Sequence, residues 1–358
     1  MIKWVRVRNF KGFDDIRVDL HKVNVVVGPN GAGKSNFVDV FLFLKELVRP
    51  SSLPPYPFLY WGGYRNLVFM NDEGLNVEIE VQGDDYYYRT VVNGKDGLKV
   101  LEEELEFQGV KICRKYDEVY IGDRKSNIDP SLSVFSTVQR MGPVTVSSIP
   151  IPHPAPPQLL DFLATFGSDI VVLRIDPYIA LSPVPFNFPH GIKVDGFGLP
   201  KLLLDLPKPV QDFLSELNMG VKVDVSPEGN FVMYMVERVG NREVVLHPSS
   251  IPSGVVKMLA IMAVIYKLRP SLLVIDEVEN SLHLNFLERL TDIFEYSEVQ
   301  VIATTHSPLV LDLVKAEDVI VAEKEDGRSV MKRFDDPERL KKELSEKGLL
   351  LSEYLLYS

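Results

Sequence analysis

The chain has a single cysteine, Cys113, in 358 residues. One thiol excludes an intramolecular disulfide framework and a metal site built from several thiolates, and it fits a reducing cytoplasm. Long apolar runs are missing too. The greasiest stretch, Val255 to Leu268, is shorter than the roughly 20 residues a membrane helix needs and carries Lys257 and Lys267, so it reads as a buried helix with no membrane role. The opening MIKWVRVRNFKGF has no apolar signal core. Positive charge is in deficit, with 39 Lys plus Arg against 50 Asp plus Glu, so the surface as a whole should not attract a nucleic-acid backbone or an anionic bilayer. The local exception is the first 22 residues, where Lys3, Arg6, Arg8, Lys11, Arg17 and Lys22 form a basic excess and a candidate DNA-facing patch. Internal repeats and sustained heptads are absent, which excludes a solenoid and a long coiled coil. His21, His153, His190 and His247 have no metal-ligand spacing.

What is present is a succession of short elements. Ile2 to Val7, Ile16 to Leu20 and Val23 to Val27 read as strands, followed by a helix in which Phe37, Val40, Phe41 and Leu44 recur at helical spacing. Asn76 to Val81, Tyr86 to Val92 and Val119 to Ile121 read as further strands, with Asn93-Gly94 and Gly122-Asp123 as turn signals. In the run Tyr86-Tyr87-Tyr88, strand alternation sends part of the ring surface to the core instead of to a base-stacking face. Residues 143 to 157 hold too much proline for regular structure and read as an extended junction. LLDFLATF and KLLLDLPKPVQDFLSELN read as helices of an inserted lobe, and short strands return at Val221 to Val225, Phe231 to Val236 and Glu243 to Leu246. The last third alternates: an apolar helix, the strand SLLVIDEV, a helix from Leu284 to Tyr296, the strand VQVIATT, a hairpin turning at Asp326-Gly327 and a charged helix from Pro337 to Lys347.

Four constellations carry chemistry. Gly28-Pro-Asn30-Gly31-Ala32-Gly33-Lys34-Ser35-Asn36 fits G-x-x-x-x-G-K-[ST] and lies between a β-branched strand and a helix. Small residues let backbone N–H groups close around a phosphate, and the helix presents its positive end to it. Lys34 would reach the β- and γ-phosphates of ATP, and the Ser35 hydroxyl would ligate Mg²⁺. Leu272 to Ile275 then deliver Asp276 and Glu277 at the end of an apolar strand; Asp276 would hold Mg²⁺ through water and Glu277 would polarise the attacking water as general base. His306, after the strand VQVIATT, would contact the γ-phosphate. Ser253, placed as N-cap, and Gly254 open the apolar helix and offer an anion site at its N-terminus.

These elements, in this order and with the opening NFKGF, resemble the RecF/SMC-like branch of the ABC ATPases, in particular its small AAA-domain members without a long coiled coil. The likeness is strongest over residues 1 to 47 and 245 to 325, and VDGFGLPKLLLDL matches the family loosely. It implies an α/β fold: a P-loop NTPase ABC-type head with a mixed central sheet, an antiparallel β subdomain and an inserted helical lobe. The expected divisions are 1–130 (first half of the head), 131–220 (Pro-rich junction and helical lobe), 221–335 (second half of the head) and 336–358 (helical tail).

The resemblance further implies that Ser253 and Gly254 cap the γ-phosphate of ATP held by a second copy, with Lys257 as the basic follower. Asn280 to His283 take the place of the dimer-contacting loop, and Lys11 stands near the α-phosphate. Gln139, or else Gln82, would sense Mg²⁺. Two departures are visible: Val255 replaces a signature glycine, and Pro252 stiffens its entry. After His306 too few residues remain for the nuclease domain of some relatives, so any nuclease would be a separate protein.

The expected function is therefore a cytoplasmic ATPase that uses ATP and Mg²⁺, forms an ATP-dependent homodimer and acts on DNA or a partner protein in repair, maintenance or defence. The alternative is a nucleotide-gated switch subunit with little turnover, controlling a separate effector nuclease or toxin. The energy subunit of a membrane transporter is disfavoured by NFKGF, the β-rich insertion and the THSP ending.

Overall fold

The computed structural model describes residues 1–51, 57–141, 157–240 and 242–357. The Pro-rich junction expected at 143–157 therefore lies outside the described residues up to 156, and Pro157 already opens a helix. The chain forms two compact units, Met1–Ile170 with Lys315–Leu349, and Val171–Val314 with Leu350–Ser358. These boundaries differ from the four-part division because both units are assembled from segments distant in sequence.

The first unit contains an eight-stranded antiparallel sheet whose neighbours run Phe13–Asp19, Ile2–Phe10, Val77–Gly83, Tyr86–Asn93, Lys99–Phe107, Val110–Lys115, Glu118–Ile121 and Arg124–Asn127. Alternation sets its two faces. Val5, Val7, Ile79, Val81, Tyr88, Leu105 and Ile112 are buried on one, as period-two patterning requires. Charges on the other face alternate by strand: Arg6 pairs with Asp15 and Glu80, Arg8 with Asp15 and Glu78, Arg89 with Glu78 and Glu102, and Lys111 with Glu104. Hydrogen bonding from Arg6, with help from Arg8, holds the Asp15 carboxyl below the usual carboxylate range.

Most cations of the candidate DNA-facing patch also have acidic or aromatic partners within the fold. Lys3 pairs with Asp84, Arg17 sits 4.3 Å over the Trp4 ring and beside Asp19, and Lys11 pairs with Asp39. Most of the basic excess is matched within the fold. The tyrosine run behaves as alternation demands: Tyr88 is fully buried and Tyr87 donates to Glu80 on the charged face, while Tyr86 packs at an angle against Phe162 and edge-on against Phe166.

One buried charge cluster sits on the inner face. Arg114 and Glu103 are both almost fully buried, and Glu103 accepts from Tyr88 Oη at 2.7 Å and from the Val134 amide at 2.9 Å. Arg114 also donates to the carbonyls of Tyr116, Asp129 and Leu132. The pair thereby ties the start of the helix Val134–Met141 to the sheet. Burial pushes the Glu103 carboxyl up and the Arg114 guanidinium down.

Also in the first unit, all five residues of the strand Val23–Val27 are buried, as expected of a parallel strand. Its partner is Val319–Glu325, in parallel with Val25 opposite Val319, and a hairpin at Asp326-Gly327 returns through Arg328–Lys332. The helix Lys34–Val48 is buried on almost every side, so it is a core helix and not an amphipathic surface one. Phe43 alone packs against Phe10, Phe58 and Trp61. Each such side chain contributes about 1.5–3 kcal/mol relative to exposure.

The second unit holds the parallel pair Leu272–Ile275 and Gln300–Thr305, every residue buried, with Ile170–Leu173 beside the first of them. A smaller antiparallel sheet comprises Val184–Pro185, Met219–Val225, Asn230–Val239 and Arg242–Leu246. The apolar helix runs Ser253–Ala263 and continues as a π-helical turn through Val264–Leu268. No helix among the described residues is long and apolar enough to cross a membrane.

Candidate functional site

The phosphate loop belongs to the first unit. Val27 ends the buried strand, and the chain turns through Gly28 to Gly33 into the helix at Lys34. Gly33 has φ 111°, and a Cβ there would meet Ser329 Oγ at 2.6 Å, so only glycine fits. Asn30 and Gly31 are exposed and Ala32 is buried. The helix has Gly33 as its N-cap, with no side-chain cap and no acid in its first turn among the described residues. No side chain or acid thus competes for the positive end of this helix, which favours an anion. Lys34, largely buried, folds its ammonium over the loop onto the carbonyls of Gly28 at 2.7 Å and Pro29 at 3.1 Å. Ser35 is exposed on the first turn and Asn36 half-buried beside it. A helix N-terminus without a side-chain cap, a buried lysine and an exposed serine fit a Mg²⁺-bound nucleotide.

Lys11 sits in the left-handed region at φ 50°. Its ammonium pairs with buried Asp39 of the loop helix and lies 5.7 Å from the Trp61 ring centroid. Gln82 donates its side-chain NH2 to the Gly83 and Tyr86 carbonyls at 2.9 Å each, on the hairpin. Gln139 lies on the helix Val134–Met141, and its side chain is outside the described residues.

The acidic residues belong to the second unit. The Asp276 amide donates to the Leu173 carbonyl at 2.9 Å, which anchors the strand end. Asp276 Oδ1 accepts from Thr304 Oγ1 at 2.6 Å and Oδ2 from Arg174 Nε at 2.8 Å. Thr304 Oγ1 in turn accepts the Glu277 amide at 2.8 Å, and the Thr304 carbonyl accepts the Val278 amide at 2.9 Å. One threonine thus fixes both carboxylate residues. Glu277 is exposed and has φ 50°, a left-handed conformation that costs a non-glycine residue about 1–3 kcal/mol. Asn280 Nδ2 donates to its carboxylate. A strained, exposed carboxylate on a rigidly bonded turn is suited to polarising water.

The signature helix docks onto this turn. Lys257, 5% exposed, donates to the Glu277 carbonyl at 2.6 Å and to the Asn280 carbonyl at 3.2 Å. Burial pushes its ammonium down to about 8, against the pull of Glu279, Glu277 and Asp276. A Cβ on Gly254 would stand 2.4 Å from the Ser281 carbonyl oxygen, and Ser281 itself has φ 66°. The placement of Ser253 as N-cap is corrected: Pro252 holds the cap position without a side-chain bond, and Ser253 is the first helical residue, exposed to solvent. Val255 is buried, so its departure from the family glycine adds bulk to the core and not to the exposed tip.

His306 is exposed after the strand Gln300–Thr305. Its Nδ1 and its backbone amide both lie 2.9 Å from Glu279 Oε1. Sequence reasoning missed Arg174, Thr304 and Glu279. Arg174 stands 102 positions from Asp276 and carries no local signal, whereas Glu279, two residues past Glu277, was within reach of a search for carboxylates near the motif.

A family described as "AAA domain, putative AbiEii toxin, Type IV TA system" matches residues 23–312. Over 101 residues, 27% of this chain, the sequence is 27% identical to the DNA double-strand break repair Rad50 ATPase of Archaeoglobus fulgidus. Over 45 residues, 12% of this chain, it is 42% identical to an ATP/GTP phosphatase of Helicobacter pylori. The matches span 10% and 12% of the length of these relatives. The fold is similar to that of an Smc head domain with an extended coiled coil, solved bound to the C-terminal domain of ScpA derived from Pyrococcus furiosus. The TM-score is 0.53 at 12% identity, covering 96% of this chain and 98% of that one. With an SMC-type head fold and a family model matching residues 23–312, the chain belongs to this AAA-domain family.

Proposed function

We propose that the chain binds ATP with Mg²⁺, hydrolyses it, and closes head to head with a second copy while ATP is bound, passing the change to DNA or a partner protein. The observation that carries the reading is the catalytic turn, where Thr304 and Lys257 hold an exposed Glu277 at φ 50°. By their motifs, Lys34 and the loop amides would bind phosphate, Ser35 and Asp276 would hold the metal, and His306 would contact the terminal phosphate. Mg²⁺ would neutralise charge developing on the transferred phosphoryl group. Ser253, exposed at the tip of its helix, is the residue offered to a second copy's nucleotide. The family's description and the Rad50 relative's name support a role in defence or DNA repair.

The test is solution mass of Glu277→Gln with and without Mg-ATP, beside the same protein carrying Ser253→Arg. ATP-driven doubling of mass that Ser253→Arg abolishes supports the reading; a mass indifferent to ATP overturns the dimerisation step. A second reading, a nucleotide-gated switch with little turnover, is favoured by one observation: both Asp276 oxygens are already engaged by protein donors, Arg174 and Thr304. Turnover of wild type close to that of Glu277→Gln would select it.

A further inference from the structure

Glu279 is a half-hidden carboxylate, its side chain 11% exposed, in the loop between the strand Leu272–Ile275 and the helix Leu284–Tyr296. Its Oε1 faces two groups of one residue, the His306 amide and His306 Nδ1, each at 2.9 Å. Its Oε2 is buried and has no hydrogen-bond partner among the described residues. An ionised carboxylate only accepts, so this contact favours the ring form with its proton on Nδ1. One hydrogen bond from the backbone amide and one close charge contact at Nδ1 tie both the start of the segment after Thr305 and the ring to this carboxylate. With Nδ1 engaged inward, Nε2 is the nitrogen left for solvent or ligand, in keeping with a side chain that is 49% exposed.

The loop is held from its other side as well. Lys257 bonds the Glu277 and Asn280 carbonyls that flank Val278 and Glu279. The Glu279 carbonyl accepts the Leu282 amide at 2.9 Å, and Val278 is bonded to Thr304. The carboxylate is therefore presented from a turn with little freedom, and a displacement of that turn would be felt at His306 directly.

We infer that Glu279 is a positioning residue that holds His306 with its proton on Nδ1 and its Nε2 outward, tying the switch histidine to the same turn that carries Glu277. The inference rests on the proposed ATPase reading only for its kinetic consequence. The geometric part needs no nucleotide.

The test uses the full chain with ¹⁵N-labelled histidine, the His306 signals being identified by their loss in His306→Asn. In wild type, His306 should show a protonated Nδ1. In Glu279→Ala that signature should be lost, and in Glu279→Gln, which keeps an acceptor oxygen, it should persist. Unchanged His306 nitrogens in Glu279→Ala, with an unaltered far-UV spectrum, would overturn the inference, as would Nε2-only protonation in wild type. Turnover should fall about tenfold or more in Glu279→Ala, with ATP affinity kept within about threefold, and should recover in Glu279→Gln. Nil turnover in wild type would count against the ATPase reading alone, because the nitrogen pattern is read without it.

Discussion

Arg174 Nε donates to Asp276 Oδ2 at 2.8 Å, while Thr304 Oγ1 donates to the other oxygen of the same carboxylate at 2.6 Å. The two donors approach from different strand ends and leave the carboxylate no freedom to rotate. On the proposed reading, in which Asp276 would hold Mg²⁺, Arg174 orients that carboxylate. Arg174→Ala should raise the Mg²⁺ concentration needed for half-maximal ADP binding by roughly tenfold, with metal-free ADP affinity unchanged. Tighter Mg²⁺ dependence instead would show that Arg174 competes with the metal.

Gly254 is a point of close approach. Gly254→Ala puts a methyl group against the Ser281 carbonyl and should cost about 1–3 kcal/mol of stability. The ATP-dependent change in mass should disappear while the affinity for ADP stays within about threefold of wild type, since the phosphate loop lies elsewhere in the chain. Mass measurement and ADP titration on one preparation check both halves.

Lys257 gives a pH signature. Its folded value is about 8 against an ordinary 10.5. Below about 8 both folded and unfolded chains hold the proton; between 8 and 10.5 the unfolded chain holds one the folded chain has shed. Stability from this residue therefore rises with pH across that window, by roughly 3 kcal/mol. Denaturant unfolding at the two ends of the window should show this rise in wild type and its loss in Lys257→Met. That variant should also lose about 1–3 kcal/mol at pH 7 from two unpaired carbonyls.

The buried pair in the eight-stranded sheet predicts an asymmetry. Arg114→Met leaves Glu103 charged and buried, and Glu103→Gln leaves Arg114 likewise, so each single change should cost about 3–5 kcal/mol. Combining them should cost less than the sum of the two. Four denaturation curves close the cycle; additive costs would refute the coupling.

Much of this was legible in the sequence, and the exceptions have physical causes. The phosphate loop was legible because its chemistry demands small residues between a β-branched strand and a helix. Asp276 and Glu277 were legible because a fully buried strand must end in an abrupt change of polarity. The strand Lys99–Phe107 was not: KVLEEELEF is rich in glutamate, which is depleted in strands, and only the cations on both neighbouring strands offset that. Ile170–Leu173 was read as part of a helical lobe, since four apolar residues have no period to distinguish strand from helix. Arg174, Thr304 and Glu279 act through contacts that exist only once the strands are side by side.

The charged face of the sheet has a consequence for assembly of the fold. Each strand there presents mainly one sign, and the next presents the other. Slipping a strand by two residues keeps acid opposite base, so the ladder says little about register, which the buried face and the hairpin turns must settle. Pairing a strand with its second neighbour, by contrast, sets acidic side chains against acidic ones and basic against basic. The pattern therefore sorts the strands into two classes of opposite sign and disfavours neighbours drawn from the same class.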